Sequence, residues 1–570
     1  MTERNLRPAT SGAVAGRWPG PQAGRTSLCL LIIFVASLAA ITPLLVYGSP
    51  AGDDFRFHFS LWLDAVQQWH EGVILPQWQH HAVWGYGQPT FLFYPPLSWL
   101  LGSALVFLFP LKMAPGSYLF LVFFLAGCSM FLFARDWVPP PHATLAAILY
   151  IASPYLLLCA YKRTAMGELL AAAIFPLVLR FALRLDKGPQ AIVPLAFALA
   201  ASWLSNLPAA VITTYSVALI LLLLAVVGRT LALVLYGALA TAGGLALSAF
   251  VLLPAMYEMP WIKVSFRPDF QTSASFMFDW GRHVSNGWFF AKVSVIALIE
   301  IGLALAGICF CWLRRRKSPA VWMIMTGLAV VSAIMLFPVA AFLYATLPEL
   351  RHVQFAWRWL FVLSACGIFL LVTACRETRI RALFPAAVIL VLVSGALAAG
   401  KVPWRSRLTA QEEHLLQTGT GLVAAEYLPV NAEPLPATGE VDAAARAKID
   451  TPRAVFLSET GPFTATPASQ IKIQEWSSRR KFLTIHNDSS GNMVLRVFYY
   501  PGWRAWVNNK PVLTAPQPET GQLMLPIPSG HNQVEVRFVR TPDRIAAAVI
   551  SLVALFLAAG YATWIGRIKN

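Results

Sequence analysis

The sequence predicts a mainly α-helical, polytopic membrane protein of about 12–13 spans, with a small extracytoplasmic β-sandwich domain near the C-terminus. Three observations carry that prediction. Apolar runs of about 18 residues or more recur along the chain, each able to cross a bilayer core of roughly 30 Å. The composition is 57% hydrophobic and only 12% charged, with a mean hydropathy of +0.60, which places the chain in the membrane class. One long stretch, 401–542, breaks the pattern by being polar and alternating with period two.

Taken in order, residues 1–26 are rich in Pro, Gly and Arg and carry no apolar pattern, so they read as a disordered cytoplasmic tail. The membrane domain covers 27–400. Its first span, Leu28 to Val46, follows Arg17 and Arg25, which sets the N-terminus inside. The run is long and no small-residue cleavage pattern follows it, so it reads as an anchor and not a signal peptide. The loop over 49–90 is then outside. Further apolar runs fall at 91–110, 115–134, 143–161, 168–185, 190–205, 207–227, 231–256, 291–313, 319–337, 357–375, 382–400 and 545–566. Basic clusters at Arg314–Lys317, Arg376–Arg381 and Arg567–Lys569 belong inside. Counting back from Arg314 puts Arg229, Arg184, Lys187 and Arg135 inside and 162–168, Asn206 and 257–290 outside. Run 91–110 then has both ends outside. It is broken by Pro95, Pro96 and Gly102, so it is expected to lie in the interface or re-enter, and twelve true spans remain.

The 401–542 region is expected outside, with strands at Lys481–His486, Met493–Tyr499 and Gln533–Phe538 and turns at Asn508-Asn509 and Pro528-Ser529-Gly530. Residues 431–470 read as a mobile part of it. The chain ends in a last span and a short cytoplasmic tail over 543–570. The net charge of +17 is explained by cations at the ends of apolar runs, and no basic tract is interleaved with aromatics, so no nucleic-acid partner is implied. All seven cysteines lie in apolar segments, which indicates neither a disulfide framework nor a CxxC metal site.

Chemistry is concentrated in three polar clusters that parity puts on one face. The first runs from Gly52 to Pro96 and carries Asp53, Asp54, Arg56, His58, Asp64, His70, His80 and His81 among tryptophans. Ionisable residues at a membrane edge are costly and tend to mark sites. Asp54 and His58, four apart, share a helical face and suit an acid–base pair or a metal. Asp53 alone suits a general base, or the N-cap of an interfacial helix 54–70 with Trp62 and Trp69 at headgroup level. The histidines lack a tight ligand spacing, so no metal or other cofactor is assigned, while a divalent metal stays open. The second cluster holds Lys162, Arg163 and Glu168, and the third Arg351, Gln354 and Arg358. Their cations suit a phosphate, and Glu168 suits a second carboxylate or an arginine partner. Together they predict a cleft for an anionic lipid headgroup. Phosphate-loop, zinc-protease and hydrolase-elbow motifs are absent.

The acidic motif after the first span, Gly85-Tyr86-Gly87 and Phe93-Tyr94-Pro95-Pro96-Leu97 resemble the bacterial membrane family called "6-pyruvoyl-tetrahydropterin synthase-related", which resembles the GT-C superfamily of polytopic glycosyltransferases. The resemblance runs on through Leu149–Tyr155, Glu168, Leu204–Pro208, Ala249–Pro254, Gln354–Arg358, Glu426–Pro429, Tyr500–Trp503 and Ile527–His531. It departs at Asn206, where His would be expected, and at Ala356, where Pro is commoner. The family's name carries no pterin chemistry here, since no zinc-bound histidines in a soluble barrel are present. The resemblance implies a GT-C-like bundle in the bacterial inner membrane. It implies transfer of a sugar from a polyprenyl-phosphate donor to an envelope acceptor on the periplasmic face. It gives Asp53 or Asp54 the role of catalytic base, with Lys162, Arg163, Arg351 or Arg358 stabilising the leaving phosphate. The partners implied are the lipid-linked sugar, membrane lipids and an unidentified envelope acceptor. The alternatives are a lipid or polysaccharide transporter or flippase, and a non-catalytic scaffold for envelope assembly.

Overall fold

The computed structural model describes residues 23–228, 231–263, 276–278, 287–313, 320–375, 383–400, 404–405, 424–433, 452–458 and 471–569. Arg229, the basic clusters 314–317 and 376–381, most of the 1–26 tail, and most of 257–290 and 431–470 lie outside the described residues.

The membrane part is built from α1 (Ala23–Ala40), α2 (Phe55–His70), α3 (Pro96–Leu108), α4 (Ala114–Ala134), α5 (Pro140–Ile151) and α6 (Met166–Arg184). It continues with α7 (Ile192–Trp203), α8 (Leu207–Gly228), α9 (Ala232–Leu247), α10 (Ala249–Glu258), α11 (Gly287–Leu313), α12 (Ala320–Ile334), α13 (Leu360–Ala374) and α14 (Leu383–Ala399). The last helix is α15 (Pro542–Lys569). Among the described residues, eight helical stretches are long and apolar enough to cross a membrane, or ten if two bent pairs each count as one. The expected twelve to thirteen spans also drew on apolar runs that appear here as shorter helices. Pro189–Trp203 and Leu383–Ala399 are short for a span. The run 231–256 is folded by 71° between α9 and α10, and the run after Val321 by 96° before Pro338–Thr346. Helix α3, within the run 91–110, has 13 residues, about 20 Å at 1.5 Å per residue, against a bilayer core of roughly 30 Å.

The segments carrying α5, α6 and α13 form the buried centre of the bundle, and α15 lies almost wholly on its outside. Helix α6 links the two faces. Near its start stands Glu168, and at its end Arg180 and Arg184 both donate to Asp136, at 3.0 and 2.7 Å from their Nε atoms. Trp62, expected at headgroup level, is instead core. It is fully buried and stacks on Tyr118 with centroids 5.2 Å apart.

The polar region folds as two antiparallel sheets over one core. Its strands are β1 (Ala454–Ser458), β2 (Ile471–Trp476), β3 (Arg480–Asn487), β4 (Gly491–Phe498), β5 (Trp503–Val507), β6 (Lys510–Val512), β7 (Ala515–Pro516), β8 (Gln522–Ile527) and β9 (Gly530–Phe538). One sheet runs β1-β4-β8-β7 and the other β2-β3-β9-β5-β6. The three strands expected from alternation fall inside β3, β9 and, nearly, β4, because inward apolar residues alternate with exposed ones there. Asn508 and Asn509, both at positive φ, turn β5 into β6, as two-residue hairpins require.

This sandwich sits on the first loop. Trp78, Ala82, Val83 and Tyr86 belong to its hydrophobic core. Trp78 packs against Tyr500, Trp503 and Phe538 with ring centroids 5.5–5.8 Å apart. The Phe498 N–H donates to the Tyr86 carbonyl at 3.1 Å. At the other edge Arg544 of α15 forks onto Glu258 of α10, at 2.6 and 2.7 Å, while the Tyr500 hydroxyl donates to the same carboxylate at 2.6 Å.

Candidate active site

The chain after the first span is fixed in place by backbone pairing with the second polar cluster. The N–H groups of Asp53 and Asp54 donate to the carbonyls of Lys162 and Arg163 at 3.2 and 2.8 Å, and the Gly52 N–H donates to Thr164 Oγ1 at 3.0 Å. A Cβ on Gly52 would stand 2.3 Å from the Lys162 carbonyl oxygen, so only glycine allows the close approach. A π-helical turn over Leu158–Arg163 presents the two cations, a distortion that often marks functional sites.

This pairing separates the two aspartates. Asp53, 48% exposed, accepts from Lys162 Nζ at 2.8 Å and is not among the residues lining the large cavity beside it. Asp54 lines that cavity, with its carboxylate 3.6 Å from Arg163 and 42% exposed. It occupies the N-cap position of α2 but makes no capping hydrogen bond through its side chain. The N-cap reading of this motif is therefore corrected: neither carboxylate caps the helix. Burial lifts the Asp54 carboxyl above its ordinary value, against the opposing pull of Arg163.

The cavity holds about 960 Å³. One wall is a charged network. Glu168, 1% exposed, accepts from Arg163 at 2.6 Å and from Arg358 at 3.0 Å. It also accepts from the Tyr155 hydroxyl. Arg358 donates further to the Val353 carbonyl at 2.6 Å and to Gln354 Oε1 at 3.0 Å. Gln354 itself sits at φ +66°, an uncommon backbone state for its type that aims its amide at Arg358. Phe355, stacked on Trp357, lies under both guanidinium groups. Arg351 also lines the cavity, is exposed, and makes no hydrogen bond or ion pair among the described residues. It is the cation there that can take an anion without giving up a partner.

His58 is buried in the same lining. Its Nε2 accepts from the Met166 N–H at 3.2 Å, which fixes the proton on Nδ1. Burial, helped by Arg163, pushes its pKa down to about 3, so it stays neutral. Arg56, two residues before His58 and so toward the other side of α2, is exposed and not among the lining residues. Lys162 stays with Asp53 at the edge.

The lining also has an apolar part. Trp203, Leu207 and Val211 contribute to it, as do Leu245, Leu252 and Met256 from the two helices that meet at the 71° bend between α9 and α10. Met256, at 67% exposed, opens this side toward the outside of the bundle. Glu426 and Tyr427 close the top, with Tyr427 stacked between Phe57 and Phe93.

The site thus gathers Asp54, His58, Arg163, Glu168, Arg351, Gln354 and Arg358 from the three clusters and leaves Asp53, Lys162 and Arg56 at its margin. Sequence reading missed Ser60, Gln79, Gln88, Glu349 and His352 in the lining. Single neutral amides and hydroxyls in a loop carry no distinguishing signal. Glu349 and His352, which pair at 2.6 Å, lie beside and within the third polar cluster.

A family profile described as "6-pyruvoyl-tetrahydropterin synthase related domain; membrane protein" matches residues 91–402. No curated protein matches significantly. Among solved structures, arabinofuranosyltransferase AftD from Mycobacteria is similar at 16% identity and TM-score 0.41, over 79% of this chain and 31% of that one. The apo oligosaccharyltransferase of Archaeoglobus fulgidus is similar at 14% identity and TM-score 0.44, over 74% and 62%. ArnT from Cupriavidus metallidurans bound to undecaprenyl phosphate is similar at 14% identity and TM-score 0.29, over 62% and 77%. The chain thus spans less than two thirds of the length of the first two.

Proposed function

We propose that this chain, which belongs to the 6-pyruvoyl-tetrahydropterin synthase-related membrane family, is a GT-C-type glycosyltransferase. It moves a sugar from a polyprenyl-phosphate donor to a cell-envelope acceptor at the periplasmic face of the inner membrane. The observation that carries this reading is the mixed lining of one cavity, which combines a carboxylate and arginines with apolar residues from a bent helix pair. A polyprenyl phosphate has the same two halves: an anionic head that suits the arginines and a tail that suits Leu245, Leu252 and Met256.

In this reading Asp54 takes the proton of the acceptor hydroxyl. The acceptor oxygen bonds to the anomeric carbon as the bond from that carbon to the phosphate oxygen breaks. Arg351 receives the charge that develops on the leaving phosphate, aided by N–H groups of Arg163 and Arg358 not held by Glu168. Glu168 keeps both guanidinium groups oriented. Asp53, paired to Lys162, positions the loop and takes no part in proton transfer.

The test is consumption of a radiolabelled polyprenyl-phosphoryl sugar by membranes holding the full chain. Asp54→Asn keeps shape and cannot accept a proton, so turnover should fall by about 10²–10⁴-fold, while Asp53→Asn stays near the natural protein. Because burial raises the Asp54 carboxyl, the acid limb of the pH profile should have its midpoint above the usual carboxylate value of about 4. Full turnover in Asp54→Asn would remove the base from this scheme.

A further inference from the structure

Part of the cavity wall carries no formal charge. Ser60, Gln79 and Gln88 line it, and each is at most 3% exposed. Gln79 and Gln88 face each other across a backbone ladder, each N–H donating to the other's carbonyl at 2.8 and 3.1 Å. The turn between them needs Gly87 at φ +75°, where a Cβ would meet the Trp78 indole at 2.1 Å.

The side chains form a chain of hydrogen bonds with a fixed direction. The Ser60 hydroxyl donates to the Phe57 carbonyl at 2.8 Å, so its oxygen accepts from Gln79 Nε2 at 3.1 Å. That leaves Gln79 Oε1 to accept from Gln88 Nε2 at 3.4 Å. The other hydrogen of Gln88 Nε2 goes to Thr90 Oγ1 at 2.7 Å. Turning the Gln88 amide over would set two carbonyl oxygens against each other. Gln88 Oε1 is therefore a buried acceptor, and it has no partner among the described residues. Buried polar atoms left in that state are costly and call for an explanation.

We propose that Ser60, Gln79 and Gln88 form a neutral subsite that binds the ring hydroxyls of the sugar carried by the lipid-linked donor. The proposal rests on the glycosyltransferase reading and adds a specificity determinant to it. A lone carbonyl acceptor needs a ligand that donates. A phosphate at neutral pH offers acceptors, whereas a sugar hydroxyl both donates and accepts. Gln88 Oε1 takes the hydroxyl's proton side, and the remaining N–H of Gln79 Nε2 meets a hydroxyl oxygen. The arginine wall, which only donates, takes the phosphate. The two walls thereby sort the two halves of a sugar phosphate.

The test is equilibrium binding to the full chain in lipid nanodiscs. The probes are undecaprenyl phosphate and a panel of undecaprenyl-phosphoryl hexoses and pentoses. The natural protein should bind at least one sugar-bearing lipid about tenfold more tightly than the bare phosphate, the scale of one neutral hydrogen bond to a buried group. Gln88→Met should bring that ratio to near one and leave affinity for undecaprenyl phosphate unchanged. Thr90→Val removes the shorter of the two bonds that hold the Gln88 amide in place, so Oε1 is less well positioned and the ratio should fall in the same direction. It keeps the side-chain volume, so it decides the matter if Gln88→Met fails to fold. A sugar preference retained in the folded variants, or absent from the natural protein, overturns the subsite while the glycosyltransferase reading stands. If neither lipid class binds the natural protein, both fall together.

Discussion

Glu168 holds the charge balance of the cavity. It is nearly inaccessible, and one carboxylate group serves two arginines and a tyrosine hydroxyl. Removing one member of a buried ionic group leaves the others uncompensated, at a cost of about 3–5 kcal/mol. Glu168→Gln should therefore lower thermal stability strongly and lose activity with it. Arg351→Ala removes an exposed cation with no partner to strand, so its melting temperature should match the natural protein while affinity for undecaprenyl phosphate drops. Differential scanning fluorimetry beside lipid binding checks the pair. A stability loss in Arg351→Ala, or none in Glu168→Gln, would contradict these assignments. The sequence marked both residues, because charged clusters between apolar runs are conspicuous. It could not tell Asp53 from Asp54, since the backbone pairing of 52–54 with 162–164 that divides them is a contact between segments more than a hundred residues apart. It was silent on Gln88 because a neutral amide becomes informative only through its partners.

At the scale of elements, the contact between α2, the first loop and the β-sandwich is ionic as well as aromatic. Glu71 at the end of α2 accepts from the Ser478 N–H at 2.9 Å. Asp64 holds His81 at 3.2 Å. Lys481 of β3 is fully buried between the Trp476 and Trp503 rings, 3.4 Å from His80 Nδ1. Burial pushes its pKa down to about 7, with Arg453 lowering it further and Glu71, Asp64 and Glu475 opposing. In the unfolded chain a lysine keeps its proton to about pH 10.4. Between pH 7 and that value the unfolded chain binds more protons, so stability should rise with pH, by at most about 1.4 kcal/mol per unit. Below pH 7 both states are charged and the full burial cost applies. Lys481→Met should be more stable near pH 7 and lose this slope, as thermal unfolding across pH 6–10 would show. A slope unchanged in the variant would place its origin elsewhere. Period-two alternation made the strands legible. Trp78 and Tyr86 inside the sandwich core were not, because the pattern within a strand says nothing of which distant loop covers it.

For the whole molecule, the spatial grouping of the polar clusters follows from charge parity. Counting apolar runs put 53–90, 162–168, Asn206 and 340–356 on one face, and the structure gathers residues from each around a single cavity. On the opposite face Asp136, Arg180 and Arg184 form their own cluster. The bends were less legible than the grouping. Hydropathy reads apolar length, and the 71° and 96° folds turn long apolar runs into bent pairs without altering their composition. The orientation expected in the bilayer rests on the cations at the far end of α6. Arg135, Arg180, Arg184 and Lys187 crowd that end, which the positive-inside bias assigns to the cytoplasm. In the proposed function the cavity and the sandwich then face the periplasm, where a lipid-linked sugar would meet envelope acceptors. Single cysteines at exposed positions check this in a background with Cys309 replaced by serine. Glu349→Cys and Leu513→Cys should react with a membrane-impermeant maleimide in spheroplasts. Asp186→Cys, exposed beside Lys187, should react only after the inner membrane is permeabilised. The reverse pattern would keep the cavity intact as a site but turn it toward the cytoplasm, where its donor and acceptor would have to be sought instead.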